Sequence, residues 1–276
     1  MLPARHLIFT DLDGTLLDPQ TYTWSPAQEA LEEIERLGVP LILVTSKTRA
    51  EVELLRRKLG HGHPFITENG GGIFIPQGYF NLRLEGATRA GRYQCIALAR
   101  PYGEVTAALD EIAEEAGASV VGFHQMRVRE IAQNTGLSLK QAELAKQREF
   151  DEPFFFAGNG EAATQAFERL ARHRGFELAH GGRFWHLFAG SDKGRAVRQL
   201  IKLYRQAEHK RFRAIGLGDS ENDLPLLAAV DHPILIPTPD GKYSREIESR
   251  LPHLVKAPLP GPAGWNAAVK QVLADA

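Results

Sequence analysis

Asp11 and Asp13 stand one residue apart where the run HLIFT ends, and Gly14 and Thr15 follow at once. A short apolar run reads as a buried strand, and aspartate is a poor strand former. The two carboxylates therefore either stop a strand or are held out beyond it for use. Alternate residues of an extended segment point the same way, so such a pair can flank one reacting group. Two further strand-like runs end in polar groups. LILV runs into Thr45 and Ser46, and FRAIGLG runs into Asp219, with Asp223 four residues on.

In open parallel sheets ligands bind beyond the carboxyl ends of the strands, so these three ends are expected at one crevice. Carboxylates crowded at about 4 Å, with an effective dielectric near ~20, repel by roughly 4 kcal/mol per pair. They need a cation. An all-oxygen donor set with few protein ligands suits Mg2+, which keeps its waters and favours phosphate. A metal beside a free carboxylate is a natural place for an aspartyl-phosphate nucleophile. A calcium loop is excluded: Gly14 is fourth rather than sixth from Asp11, and a strand rather than a helix precedes. The bland alternative is a strand-ending turn, since Asp and Gly terminate strands widely.

The elements that must position these residues alternate strand and helix at both ends of the chain. SPAQEALEEIERLG reads as a helix capped by Ser25, with Gln28 completing a capping box and Gly38 closing it. VPLILVTS reads as a second strand and KTRAEVELLRRKLG as a second helix, for which Thr45 and Ser46 are candidate caps. SDKGRAVRQLIKLYRQAEH, FRAIGLGDS, ENDLPLLAAV, HPILIP and AGWNAAVKQVL continue the alternation after residue 190. Alternation of this kind implies a parallel sheet. Between lie the strand-like RYQCIALA, SVVGF, PFFFAG, FELAH and RFWHLFA, interleaved with helical segments, and a Gly-Gly turn joins the last two. The expected class is α/β: a Rossmann-like parallel core, residues 1–82 and 190–276, with an α+β cap inserted over 83–189.

A chain of 276 residues, 43% apolar and 24% charged, is an ordinary globular protein of about two domains. Its net charge of −1 gives no reason to expect nucleic acid or a membrane surface as partner. No run approaches the roughly 18 apolar residues of a spanning helix. The N-terminus is too short and too soon acidic for a signal peptide. The only cysteine, Cys95, precludes an intrachain disulfide and is expected to pack in a core, so a cytoplasmic enzyme is the default expectation.

Asp11-Leu12-Asp13-Gly14-Thr15 resembles the first motif of the haloacid dehalogenase superfamily. Ser46 resembles its second, Lys193 its third, and Gly218-Asp219-Ser220-Glu221-Asn222-Asp223 its fourth. The order and the strand-end placement match over the whole core. The resemblance implies Asp11 as nucleophile and Asp13 as general acid and base. Ser46 and Lys193 would hold phosphoryl oxygens. Mg2+ would be bound by Asp11, the Asp13 carbonyl and Asp219, and Asp223 would orient Lys193 or a metal-bound water.

The stretch VREIAQNTGLSLKQAELAKQREFDEPF, with TSKT and SDKG, is similar to the mannosyl-3-phosphoglycerate phosphatase family. That resemblance implies a small phosphorylated sugar acid as substrate. Thr45, Lys47, Glu68, Asn69, Arg148 and Arg183 are the candidates to contact it, and arginine suits its carboxylate because the guanidinium fork is bidentate. Arg49, His124, Asp151 and Glu152 are further polar candidates. A glucosyl analogue, another sugar phosphate such as sucrose phosphate, a phosphomannomutase-like transfer and a non-catalytic phosphosugar sensor remain open. For Arg148 to Pro153 a salt-bridged helix end is the competing structural reading.

Overall fold

A computed structural model describes residues 5–158, 160–181 and 184–274. In chain order its strands are β1 (Arg5–Thr10), β2 (Leu41–Val44), β3 (Phe65–Thr67), β4 (Gly72–Pro76), β5 (Thr88–Ala90), β6 (Tyr93–Ala97), β7 (Val120–Gly122), β8 (Asp151–Phe156), β9 (Glu177–Gly181), β10 (Phe184–Phe188), β11 (Phe212–Gly218), β12 (His232–Leu235) and β13 (Val255–Lys256). The helices are α1 (Gln28–Leu37), α2 (Arg49–Lys58), α3 (Tyr102–Ala116), α4 (Val128–Thr135), α5 (Leu139–Ala145), α6 (Glu161–His173), α7 (Lys193–Glu208), α8 (Leu224–Leu227), α9 (Arg245–Arg250) and α10 (Gly261–Ala274).

The first of two compact units takes in the described parts of Met1–Thr45, Gly62–Ile96 and Asp192–Ala276. Its sheet has nine strands in the order β13-β12-β11-β1-β2-β3-β4-β6-β5. The run from β13 to β3 is parallel, and β4 pairs antiparallel with β3. Leu7, Ile8 and Phe9 of β1 and Leu41 to Val44 of β2 are buried. Parallel strands are covered on both faces, which is why these segments read as unbroken apolar runs rather than alternating ones. β1 lies between β11 and β2, with Thr10 opposite both Leu217 and Leu43. The chain order reverses at β1, so the crevice beyond its carboxyl end is where a ligand site is expected. Helix α7 belongs to the same unit and buries Ala196, Val197, Leu200 and Tyr204.

The second unit takes in Ser46–His61 and the described parts of Ala97–Ser191. Its sheet is antiparallel, ordered β7-β8-β10-β9. One core joins Val105, Leu109 and Ile112 of α3 and Phe167 of α6 to Phe154 and Leu187 of the sheet. A second core joins Phe123, Met126 and Phe184 to Ile131 of α4 and Ala142 of α5. Long aromatic and aliphatic side chains on one helix face and on alternate strand positions are what such a two-layer unit requires.

The α/β class with a parallel core sheet and a separate antiparallel sheet is as expected, and Cys95 is buried. Particular elements differ. Tyr93–Ala97, read as part of the inserted sheet, pairs instead in the nine-stranded one, because β5 and β6 form a hairpin beside β4. Ser25 does not cap α1: residues Ser25–Ala27 make a 3-10 turn, and Ala27 at the helix start offers no side-chain cap. The Ala30 N–H is taken instead by Asn266 Oδ1 of α10, at 2.9 Å, a partner 236 positions away. Helix α2 is capped by Thr48 with Glu51 in a reciprocal box, not by Thr45 or Ser46. The helix expected over ENDLPLLAAV is a 3-10 turn, Glu221–Asp223, followed by the four-residue α8. Of the Gly-Gly pair before β10, Gly181 ends β9 and Gly182 lies outside the described residues.

Candidate active site

Asp11 follows β1 directly, and its N–H donates to the Leu217 carbonyl of β11 at 2.9 Å. Asp219 follows β11, so the same pairing that aligns the two strands delivers both carboxylates to one end of the sheet. Lys193 is the first residue of α7 and is 1% exposed. Its Nζ donates to Asp11 Oδ1 at 2.9 Å and to Asp223 Oδ1 at 2.6 Å. Asp223 is wholly buried, and its other oxygen accepts the N–H groups of Asp219 and Ser220. The Thr15 hydroxyl donates to Asp219 Oδ1 at 3.0 Å. Thr15 was legible as part of the first motif, but its partner lies 204 positions away and could not be read locally.

One ammonium thus serves a group of four carboxylates. Burial first, and then repulsion from Asp223, push the Asp11 carboxyl well above the usual range. Burial, Asp223 and Asp13 push Asp219 up to about 7, although Thr15 and Lys193 work the other way. Burial disfavours the Lys193 ammonium, but Asp11 and Asp223 overcome this and hold its pKa above the ordinary value. Asp11, Asp219 and Asp223 each offer an oxygen within 4.8 Å of the others. Hard oxygen donors and a local excess of negative charge fit a divalent cation. Asp13, partly exposed, stands outside that trio of side chains but within electrostatic reach of Asp219.

Backbone geometry explains two of the motif glycines. Gly14 has φ +81, and a Cβ there would lie 2.6 Å from Asp219 Oδ2. A Cβ on Gly218 would lie 2.5 Å from Asp223 Cβ. We expect Gly14→Ala to destabilise the protein by about 1–2 kcal/mol through the left-handed backbone. Through displacement of Asp219 it should also weaken divalent-cation binding about tenfold. Thermal melts and calorimetric Mg2+ titration check the two effects separately.

The remaining predicted residues divide between the units. Thr45, buried after β2, donates its N–H to Ile66 and accepts the Asn69 N–H at 3.0 Å. Glu68, Asn69 and Gly70 are three consecutive residues with positive φ, at +48, +56 and +97. Such conformations cost free energy at non-glycine residues and persist only where the surroundings impose them. Here Gly70 is pressed against the start of α7: a Cβ on it would lie 2.3 Å from the Asp192 carbonyl oxygen and 2.7 Å from the Lys193 nitrogen. Asn69 Oδ1 is buried with no hydrogen-bond partner.

Ser46, Lys47 and Arg148 lie in the second unit. Arg148 is ion-paired with the buried Asp151, and its Nη2 donates to the Ser46 carbonyl at 3.0 Å. The helix-end salt bridge read from the sequence therefore forms. Glu152, fully buried, accepts from Tyr102 at 2.6 Å and from the His124 backbone N–H at 2.9 Å, with His124 Nδ1 at 2.8 Å. Asp151 also meets His186 Nδ1 at 3.1 Å. Arg183 lies outside the described residues. A cleft of about 940 Å3 in the first unit, lined in part by Arg83, Arg198, Lys202 and Arg205, contains none of the motif residues. Among the described residues, no helix is long and apolar enough to cross a membrane.

A nine-stranded, mainly parallel sheet with clustered aspartates and a buried lysine at one strand end defines a haloacid dehalogenase-like hydrolase. That family matches residues 8–237, and the chain belongs to it. Two curated relatives are similar over nearly their full length. The glucosyl-3-phosphoglycerate/mannosyl-3-phosphoglycerate phosphatase of Methanococcoides burtonii is 41% identical, over 98% of this chain and 97% of its own. The protein of the same description from Persephonella marina is 43% identical, over 97% of each. The crystal structure of a Thermoplasma acidophilum protein shares the fold, with a TM-score of 0.67 at 19% identity over 98% of both chains.

Proposed function

We propose that this chain is a Mg2+-dependent phosphomonoester hydrolase that removes phosphate from a glycosylated 3-phosphoglycerate, mannosyl or glucosyl. Lys193 joining Asp11 to Asp223 in a buried carboxylate cluster carries the chemistry. The two near-full-length relatives named for that reaction support the substrate.

An Asp11 carboxylate oxygen attacks phosphorus as the bond from phosphorus to the substrate oxygen breaks, and the Asp13 carboxyl gives that oxygen its proton. Asp13, now ionised, takes a proton from water. The water oxygen bonds to phosphorus, the bond from phosphorus to Asp11 breaks, and phosphate leaves. Lys193 favours the ionised form of Asp11 and orients it, and Asp223 keeps Lys193 in place. Asp11, Asp219 and the Asp13 carbonyl would hold Mg2+, which when bound supplies positive charge to the phosphoryl oxygens. Ser46 is assigned to those oxygens. Thr45, Glu68 and Asn69 are assigned to substrate hydroxyls, and Lys47, Arg148 and Arg183 to the carboxylate.

Phosphate release from mannosyl-3-phosphoglycerate, glucosyl-3-phosphoglycerate and sucrose phosphate, each with Mg2+ and after chelation, tests this. Release from the first two is expected, equal in amount to substrate lost and abolished by chelation. Faster release from sucrose phosphate would overturn the substrate, and phosphate retained on a sugar would overturn hydrolysis.

A further inference from the structure

We propose that Thr10 and Trp265 are positioning residues for the nucleophile, acting on Asp11 through its main chain. This rests on the reading of Asp11 given above. The Trp265 indole N–H donates to Thr10 Oγ1 at 3.0 Å. The Thr10 hydroxyl donates in turn to the Asp11 carbonyl oxygen at 2.7 Å. Both Thr10 and Trp265 are 0% exposed, so no solvent competes for these bonds.

The polarity of the chain of bonds follows from chemistry alone. An indole N–H only donates, so the Thr10 oxygen must accept from it, and the hydroxyl proton is directed elsewhere, onto the carbonyl. The ring closed by the Thr10–Asp11 bond contains both backbone rotations of Asp11, the ones that set where its Cα–Cβ bond points. The Asp11 N–H is held separately by Leu217. The nucleophile's backbone is thereby gripped on both sides at the first residue past the strand. The helix that carries Trp265 is itself closely packed. A Cβ on Gly264 would lie 1.7 Å from the Leu259 carbonyl oxygen, and Asn266 pins α10 to the start of α1. A valine at position 10 would fill the same space and suit a strand better, so the hydroxyl is not there for packing.

The test measures kcat, KM and melting temperature for Thr10→Val, Thr10→Ser, Trp265→Phe and the Thr10→Val/Trp265→Phe double variant, with Asp11→Asn as reference. Thr10→Val is expected to lower kcat about tenfold with KM unchanged, because only the aim of the nucleophile is lost. Thr10→Ser should restore it. Thr10→Val leaves the indole N–H buried and unsatisfied, whereas the double variant removes both partners. The double variant should therefore recover melting temperature while kcat stays low, a split that a purely structural role does not produce. Wild-type kcat in Thr10→Val, loss in Thr10→Ser equal to that in Thr10→Val, or recovery of kcat together with stability in the double variant would each overturn the proposal. An active Asp11→Asn would instead remove the nucleophile reading beneath it.

Discussion

Asp11→Asn lowers phosphate release by about 10⁴-fold or more, to well under ~1% of wild type, and leaves the fold intact. The substitution keeps the shape and removes the nucleophilic charge. An amide oxygen is a poor nucleophile towards phosphorus, and no other carboxylate follows β1 at that point: Asp13 is two residues on, and both oxygens of Asp223 are taken, one by Lys193 and one by the Asp219 and Ser220 N–H groups. The fold should survive for an electrostatic reason. A carboxyl whose folded pKa is raised costs stability as pH rises from its ordinary range through the raised value. Asp11 is such a group, pushed up by burial and by Asp223, so neutralising it removes a cost at pH 7. Circular dichroism and a thermal melt check the fold, and a phosphate assay checks the chemistry. Turnover above a percent would assign the nucleophile elsewhere.

Lys193→Met is expected to act on both stability and rate. The ammonium is 1% exposed and bonded to two aspartates, so methionine keeps most of the stem but leaves buried carboxylates without their cation. Removing one partner of a buried ion pair costs about 3–5 kcal/mol. Divalent cation should restore part of that loss, because it supplies charge to the same oxygens. The rate should fall by about 10²–10³-fold even in saturating Mg2+, because a fixed positive charge beside the phosphoryl group is gone. Urea unfolding of wild type and variant, with and without Mg2+, measures the first effect. A variant as stable as wild type in chelator would show that Lys193 does not neutralise this cluster.

Much of this site was legible because its residues are tied to local patterns. Each carboxylate of Asp11, Asp13 and Asp219 lies at or just after the end of an apolar run, and a run of that kind in a parallel sheet implies both a strand and its direction. The Glu68-Asn69-Gly70 turn was likewise visible as a turn, though not its left-handed backbone or the close approach of Gly70 to Asp192 and Lys193. Helix starts were less legible. Ser25 and Ser46 are sound caps on local grounds, yet α1 draws a cap from Asn266 and α2 takes Thr48. Tyr93–Ala97 has the pattern of a strand in either sheet, and a strand's own residues do not name the sheet it joins.

By itself the sequence determined the strand-ending aspartates, the glycines beside them and the family those motifs define, because each depends on neighbours a few positions apart. Only the tertiary structure decided which group neutralises which. Lys193 meets Asp11 across 182 positions and Asp223 across 30, and Trp265 reaches Thr10 across 255. The physical reason is burial: in the interior each charge or polar hydrogen must find a partner, and packing rather than chain order decides which one is within reach.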